Sequence, residues 1–419
     1  MTRNASLIQK RPFQVLEGRR EGISVMLVSG EASSDEHGAA VVRSLLKSRA
    51  DARVFGMGGS ALRAAGMETV IDSESAAAVM GLTEVVGSLR KIYAAYRELI
   101  RIARERKPDV VVLIDFPDFN LRLARALKRS GFPILYFITP QLWAWRSGRI
   151  KAIRRSVRKV APIFPFEESY FQRYGVDAEY VGHPFLDRAP LAFDRGEFLR
   201  SLGLDPNRPV LALLPGSRKA EAEMLLPPLL GAYEQLRRVR PNFQAIIPVA
   251  STLTKDFFAE RTRGVPDLAL SSGQAREVLS VARASIVASG TATVEAALAE
   301  NPFLVVYRLS PVSHFIARKL VRGVRHFAMP NLIAGKPVVP ELLQDEVTPE
   351  RLAMELERFL GDPAYEKRMR KDLKIVGDRL RFGRKAECSA AQRTAEIIVE
   401  IAGEKYTRQS RVYRPKGEQ

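Results

Sequence analysis

The sequence predicts an α/β protein made of two consecutive units, each built on a parallel sheet. Strand-length apolar runs alternate with stretches of helical spacing, and the alternation pauses in a polar segment and restarts at Pro209. The runs Ile23–Val28, Val110–Ile114, Val210–Leu214 and 285–288 are each followed by small or acidic residues, at the strand ends where open parallel sheets bind ligands. A chain of 419 residues, 46% of them hydrophobic, is long enough for two separate cores.

Composition bounds the partners. Lys and Arg number 66 against 47 Asp and Glu, a formal charge of +19, which favours nucleic acid, an anionic membrane face or phosphorylated substrates. The excess gathers at Arg146, Arg149, Lys151, Arg154, Arg155, Arg158 and Lys159, and again at Arg318, Lys319, Arg322, Arg325 and His326. Both clusters also read as solvated helix faces. The single cysteine, Cys388, excludes an intramolecular disulfide and suits a reducing compartment. With no secretory signal pattern and no apolar run of about 18 residues, no membrane-spanning helix is expected.

Residues 1–21, polar, basic and without periodicity, are expected to form a loosely held leader, and the first unit is expected over 22–186. Its first strand, Ile23–Val28, runs into the small-residue turn Ser29–Gly38, with Glu31 and Ser33, and then into a helix through Leu46. A second strand, Arg53–Gly56, leads into Gly56-Met57-Gly58-Gly59 and a helix to Ala65. Gly56 and Gly58 match two glycines of a dinucleotide fingerprint, but Ala61 stands at the third position, so no dinucleotide is assigned. Helical spacing follows over Ser73–Met80 and from Leu82 to about Arg104. There Val85, Leu89, Ile92, Tyr96, Leu99 and Ala103 form one stripe, either a core face or a groove for acyl chains.

Val110–Ile114 is the most strand-like run of the first half, and Asp115-Phe116-Pro117-Asp118-Phe119-Asn120 follows it, before a helix to about Ser130. An acidic residue directly beyond five apolar ones stands where α/β sheets place their chemistry. Its plainer role, capping the next helix, can be filled by Asp118 or Asn120. The strand Ile134–Ile138 ends in Thr139–Arg146, where Trp143 and Trp145 beside Arg146 suggest an amphipathic contact surface. A short strand near Ala161–Phe164 and the Gly182-His183-Pro184 turn close the unit.

Beyond a linker over 187–208, a second unit is expected over 209–400 and a basic tail without clear structure over 401–419. Pro209–Glu223, PVLALLPGSRKAEAE, reads as a buried strand, a tight turn at Pro215-Gly216-Ser217-Arg218 and a helix start. Such a turn offers unpaired N–H groups and the positive end of a helix dipole to an anion, and Arg218 adds a fixed, forked cation. The same four residues also make an ordinary strand-to-helix loop. Further strands are expected near 244–248, 285–288 and 303–307, and between the last two Ser289-Gly290-Thr291 leads through a helix start to Glu295. Asn331 lies in Met329-Pro330-Asn331-Leu332-Ile333, and the chain after Thr348 reads as mostly helical. A carboxylate in one unit and anion-binding turns in the other suggest an active cleft between domains. The first would hold an acceptor activated by a base, the second a phosphate-bearing donor.

The strings GEASSDEHG (Gly30–Gly38), AVMGLTEV (Ala78–Val85), IDFPDFN (Ile114–Asn120), PQLWAWR (Pro140–Arg146), GHP (Gly182–Pro184), LLPGSRKAEAE, SGTATVE and PNLIAG (Pro330–Gly335) together resemble the lipid-A-disaccharide synthase family, in order and over about Ile23–Glu400. The resemblance implies an inverting glycosyltransferase of GT-B architecture, two Rossmann-like domains with parallel sheets facing an interdomain cleft. It implies transfer from UDP-2,3-diacylglucosamine to the 6-hydroxyl of 2,3-diacylglucosamine 1-phosphate (lipid X), giving a β(1→6) disaccharide 1-phosphate and UDP. Asp115 matches the family's catalytic carboxylate, the expected general base. Arg218, with Gly216 and Ser217, matches the residues expected to meet the donor diphosphate. Glu295, with Ser289, Gly290 and Thr291, matches the donor turn, where a carboxylate suits ribose hydroxyls. Glu31 either orients the acceptor or shapes its turn, and Ser33, Asp118, Asn120, Trp143, Arg146 and Asn331 are further substrate-binding candidates. Ser34 departs from the family, which commonly has glycine there.

Such substrates imply a cytoplasmic protein attached peripherally to the anionic inner face of the inner membrane, with Arg149, Arg154, Arg155 and Arg158 as the membrane-facing candidates. A homodimer is left open. No cofactor is implied, since the UDP-sugar is a substrate. No metal is called for either: Asp115 and Asp118 are spaced D-x-x-D, and His183 reads as a hydrogen-bonding residue. Two other readings stand beside this one. Another GT-B UDP-sugar transferase or epimerase would act on a soluble sugar. A nucleic-acid binder would use the charge and the tryptophans but leave Asp115 without a purpose, and no nucleic acid is expected.

Overall fold

A computed structural model of the protein describes residues 22–73, 85–140, 142, 147–308, 326–382 and 388–412. The chain divides into an N-terminal unit, residues 1–187 joined by 383–419, and a C-terminal unit, Arg188–Phe382.

The N-terminal unit is organised by a six-stranded parallel sheet of β1 (Ser24–Ser29), β2 (Arg53–Gly58), β3 (Glu68–Asp72), β4 (Val110–Ile114), β5 (Ile134–Phe137) and β6 (Lys159–Ala161), in the order β3-β2-β1-β4-β5-β6. β1 and β4 lie at its centre, paired from Val25 with Val110 to Ser29 with Ile114. All five residues of β4 are buried, which is why the strand is continuously apolar rather than alternating. Met26, Val28, Val111 and Leu113 meet Leu99, Leu123, Leu127, Tyr136 and Phe171 in the core. β2 approaches β1 so closely at Gly56, φ 147°, that a side chain there would collide with the Leu27 carbonyl.

The C-terminal unit repeats the plan with β7 (Val210–Leu214), β8 (Gln244–Val249), β9 (Leu268–Ser272), β10 (Ala284–Ala288), β11 (Phe303–Tyr307) and β12 (Glu341–Leu343), in the order β12-β11-β10-β7-β8-β9. Counted from its own first strand, this is the same order as in the first sheet. Each sheet therefore reverses its winding at one place, between β1 and β4 in the first and between β7 and β10 in the second. Those switch points are where doubly wound sheets leave a crevice for ligands.

Several boundaries differ from the sequence expectation. The strand expected near Ala161–Phe164 lies earlier, at Lys159–Ala161, because Pro162 follows and Pro165 opens the helix Pro165–Arg173. The stretch 187–208 is not simply a linker. It contains the helix Arg195–Ser201, which buries Phe198 and Leu199 and is capped by the Asp194 carboxylate accepting the Glu197 N–H at 2.6 Å. The largest correction concerns 383–400, expected in the second unit, and the tail expected to lack structure from 401. The helix Ala390–Val412 packs with the N-terminal unit, burying Ala390, Ala395, Ile397, Ile398, Ile401 and Ala402. Asp187 accepts its first N–H, that of Ala390, at 2.7 Å, and Arg393 pairs with Glu179. Burial of one apolar face and these polar ties give the helix its place.

In the helix Val85–Arg106, Leu99 and Ala103 are buried and Ile92 and Tyr96 pack against the core, so this part of the stripe is a core face. The expected helix at Ser73–Met80, the leader 1–21 and the second basic cluster at Arg318–Arg325 lie outside the described residues but for their edges. Among the described residues no helix is long and apolar enough to cross a membrane.

Candidate active site

Each switch point carries the loops singled out in the sequence. In the first, β4 ends at Ile114 and two consecutive residues, Asp115 and Phe116, adopt left-handed backbone conformations at φ 46° and 50°. Non-glycine residues rarely do so, and such strain persists only where the surroundings over-determine it. Here they do. The Asp115 carbonyl accepts the Tyr136 hydroxyl and the Asn120 side-chain N–H, each at 2.7 Å, and Asn120 also donates to the Ile114 carbonyl at 3.1 Å. Phe116 stacks on Phe119 with centroids 5.2 Å apart and lies against Gly30, where a Cβ would come within 2.5 Å of the ring. Gly30 thus lets the loop after β1 pack onto the loop after β4.

Burial raises the Tyr136 hydroxyl well above its ordinary value, Asp115 adds to the rise and Arg149 opposes it. Tyr136 is thereby kept a neutral donor to the Asp115 backbone. Asn120, expected to bind substrate, is instead 0% exposed and committed to holding this loop. Asp118 is exposed and ion-paired with Arg149, which sets Arg149 beside the Asp115 loop and gives it a partner within the protein.

Glu31, which caps the helix Ala32–Ser48, and Ser33, in the first turn of that helix, are exposed. Ser34, the departure from glycine, is buried and ties the turn to itself: its hydroxyl lies 2.7 Å from that of Ser29, donates to the Glu31 carbonyl at 2.8 Å and accepts the Glu31 N–H at 3.1 Å. The next residue, Asp35, was not singled out as functional. Its buried carboxylate accepts the Gly59 N–H at 2.5 Å and the Ala61 N–H at 2.9 Å. The turn after β2, at the start of the helix Ser60–Ala64, is therefore capped by a carboxylate of the chain itself. An acid in the middle of GEASSDEHG was the available signal. His183 is buried, and its Nδ1 accepts the Phe185 N–H at 3.2 Å.

In the second switch point, β7 leads into Gly216 at φ 106° and into Arg218, whose extended backbone caps the helix Lys219–Val239. Ser217 and Arg218 are exposed, and the Ser217 carbonyl accepts the Thr252 hydroxyl at 2.6 Å. β10 leads into Ser289 and Gly290, φ 144°, before the helix Thr291–Leu298. The Ser289 N–H donates to the Val306 carbonyl at 2.8 Å, fixing the strand end. Burial pushes the Glu295 carboxyl up, while its ion pair with Arg188 pulls the other way.

Asn331 departs from its expected role. It is 1% exposed, accepts the Val338 and Val339 N–H groups at 2.6 and 2.9 Å, and donates to the Val339 carbonyl and the Glu341 carboxylate at 2.9 and 2.6 Å. All four of its hydrogen-bonding positions hold the turn into β12, leaving none for a ligand. Trp143 and Arg146 lie outside the described residues. Arg154 and Arg155 are exposed on the helix Ile150–Ser156, whereas Arg158 bonds Asp177 at 3.3 Å and Glu404 at 2.8 Å.

Two successive sheets of one strand order, with a carboxylate loop at the first switch point and an arginine-bearing helix start at the second, define a GT-B protein. Solved structures share this fold: the UDP-GlcNAc 2-epimerase of Neisseria meningitidis bound to UDP-GlcNAc has a TM-score of 0.61 at 13% identity, covering 91% of this chain and 100% of the other. The calicheamicin glycosyltransferase CalG4 has a TM-score of 0.57 at 16% identity, covering 91% and 99%. Residues 25–398 match the family model described as lipid-A-disaccharide synthetase. The chain is 43% identical to the lipid-A-disaccharide synthase of Koribacter versatilis, with 91% of this chain and 100% of the relative covered, and 45% identical to that of Acidobacterium capsulatum, with 83% and 89% covered. The chain belongs to the lipid-A-disaccharide synthase family and is a glycosyltransferase that uses a UDP-sugar.

Proposed function

We infer that the two switch points serve the two substrates of one transfer, the acceptor at the Asp115 loop and the UDP-sugar at the Arg218 and Glu295 turns. The reaction is the family's: the diacylglucosaminyl group of UDP-2,3-diacylglucosamine passes to the 6-hydroxyl of lipid X, giving the β(1→6) disaccharide 1-phosphate and UDP. The observation that carries the assignment of roles is the left-handed Asp115, locked by Tyr136 and Asn120 at the end of the central strand.

Asp115 takes the proton of the acceptor 6-hydroxyl as that oxygen bonds to the anomeric carbon, on the face opposite UDP. The bond from the anomeric carbon to the diphosphate oxygen breaks with its electron pair, and the configuration inverts. Arg218 and the N–H groups of the Pro215–Arg218 turn meet the charge that grows on the leaving diphosphate. Glu295 accepts the ribose hydroxyls, with Arg188 keeping its half-buried carboxyl closer to the ionised form. In this reading the diphosphate charge is met by the protein's own groups, without a cofactor or metal.

Acylated substrates and the exposed Arg154 and Arg155 support peripheral attachment to an anionic membrane face on the cytoplasmic side.

The deciding assay mixes the purified protein with UDP-2,3-diacylglucosamine and lipid X in the presence of EDTA. UDP and disaccharide 1-phosphate are expected in equal amounts. Turnover of UDP-N-acetylglucosamine with none of the diacylated donor would favour the soluble-sugar reading, and a requirement for added metal would overturn the assignment of the diphosphate charge.

A further inference from the structure

The turn assigned to the donor diphosphate already holds a carboxylate of the chain itself. Glu221 lies in the first turn of the helix Lys219–Val239, and its side chain folds back over Gly216. The missing side chain of Gly216 makes the room, since a Cβ there would collide with the Glu221 carboxyl. The Arg218 charge and the backbone N–H groups of Arg218 and Ser217 all favour the ionised form of that carboxyl. Burial nevertheless pushes the Glu221 carboxyl above its ordinary value, more than Arg218 and the two N–H groups pull it down. The N–H groups and cation that act on Glu221 are those that a phosphate at this helix start would use.

We propose that Glu221 is a resident occupant of the diphosphate turn, and that its carboxylate leaves the space over Gly216 when a nucleoside diphosphate enters. The inference rests on the donor reading above and adds to it a residue that sets how tightly the nucleotide is held. An anion already seated in the turn weakens diphosphate binding, and its return hastens the release of UDP. A glutamate at this helix position also acts as an ordinary cap, reaching back to the N–H at the helix start. Glutamine makes the same cap without the charge, so a purely capping role predicts no change in nucleotide binding when glutamate becomes glutamine.

Calorimetric titration of the full chain and its Glu221→Gln variant with UDP and with uridine separates the two. UDP is expected to bind the variant on the order of tenfold more tightly, from the loss of one like charge close to the diphosphate. Uridine, which lacks the phosphates, is expected to bind both proteins equally. A Glu221→Asp variant, which keeps the charge but draws it back from Gly216, is expected to fall between them and serves if the glutamine variant does not fold. Equal or weaker UDP binding by Glu221→Gln, or equal tightening for UDP and uridine, overturns the proposal. If the unaltered protein binds UDP more tightly than uridine, the donor reading survives that result. If UDP does not bind the unaltered protein, the donor reading fails and this inference with it.

Discussion

The Asn120 side-chain amide donates to the backbone carbonyl of Asp115 at 2.7 Å and so holds in place a residue whose own backbone is left-handed. In the proposed mechanism, chemistry and support are thereby divided between two neighbouring polar residues. Asp115→Asn keeps a residue type that tolerates this backbone but cannot take a proton, so kcat is expected to fall about a hundredfold or more with the melting temperature nearly unchanged. Asn120→Ala leaves the Ile114 carbonyl without the Asn120 donor and the Asp115 carbonyl with one donor fewer. A loss of about 1–3 kcal/mol in stability is expected, together with a lower kcat. Denaturant melts beside steady-state kinetics check both. Near-normal turnover by folded Asp115→Asn would remove the general-base assignment.

Arg188 and Glu295 make the corresponding pair in the C-terminal unit. Burial raises the Glu295 carboxyl and Arg188 offsets part of that rise, so Arg188→Met raises it further and leaves more of the group protonated. A protonated carboxyl is the poorer acceptor for ribose hydroxyls. The donor KM of the variant is expected to rise several-fold, about three to tenfold, and to climb on acidification from a higher pH than in the unaltered protein. A pH series of donor KM for both proteins tests it, and superimposable profiles would count against the ribose role.

Much of this was legible in the sequence because central strands and their exits are chemically extreme. Val110–Ile114 and Val210–Leu214 are uninterrupted apolar runs since both faces are covered, and the residues that end them stand out for that reason. Edge strands offer no such contrast: Glu68–Asp72 is mostly half-buried, and Glu341–Leu343 is too short for any period to register. Asn120 and Asn331 read as ligand groups because a polar residue in a family motif shows its chemistry but not its partners, which here are mainly backbone groups. The C-terminal helix was misplaced for a related reason. Its apolar face announces that it is buried, but not against which sheet, and its partner Glu179 lies 214 residues away from Arg393.

That long-range pairing makes the docking of the helix Ala390–Val412 sensitive to acid. Burial pushes the Glu179 carboxyl up, and hydrogen bonds from Arg393 and Lys159 more than reverse this, leaving it below its ordinary value. A depressed carboxyl contributes stability above its unfolded value, and that contribution is lost as pH falls through the folded value. Hydrogen exchange over residues 390–402 is therefore expected to speed up, beyond its intrinsic pH dependence, as the solution is taken below about pH 4. In Glu179→Gln the same amides are expected to exchange faster at neutral pH and to lose the acid step. An acid step that persists in the variant would assign it to other groups.

The basic helix Ile150–Ser156 gives the membrane reading a narrower test than the sequence did. Ile150 and Ile153 are buried, while Arg154 and Arg155 are exposed. Arg158 is committed to Asp177 and Glu404, and Arg149 to Asp118. Charge reversal at Arg158 would therefore repel the C-terminal helix as well as a membrane, and a loss of binding there would be ambiguous. Reversal of Arg154 and Arg155 alone avoids this. At about 1 kcal/mol for each basic residue near an anionic surface, Arg154→Glu with Arg155→Glu is expected to lower partitioning onto phosphatidylglycerol vesicles at least tenfold. The loss should shrink as salt is raised, while turnover of detergent-dispersed substrates stays the same. Unchanged sedimentation with those vesicles would place the attachment elsewhere on the molecule.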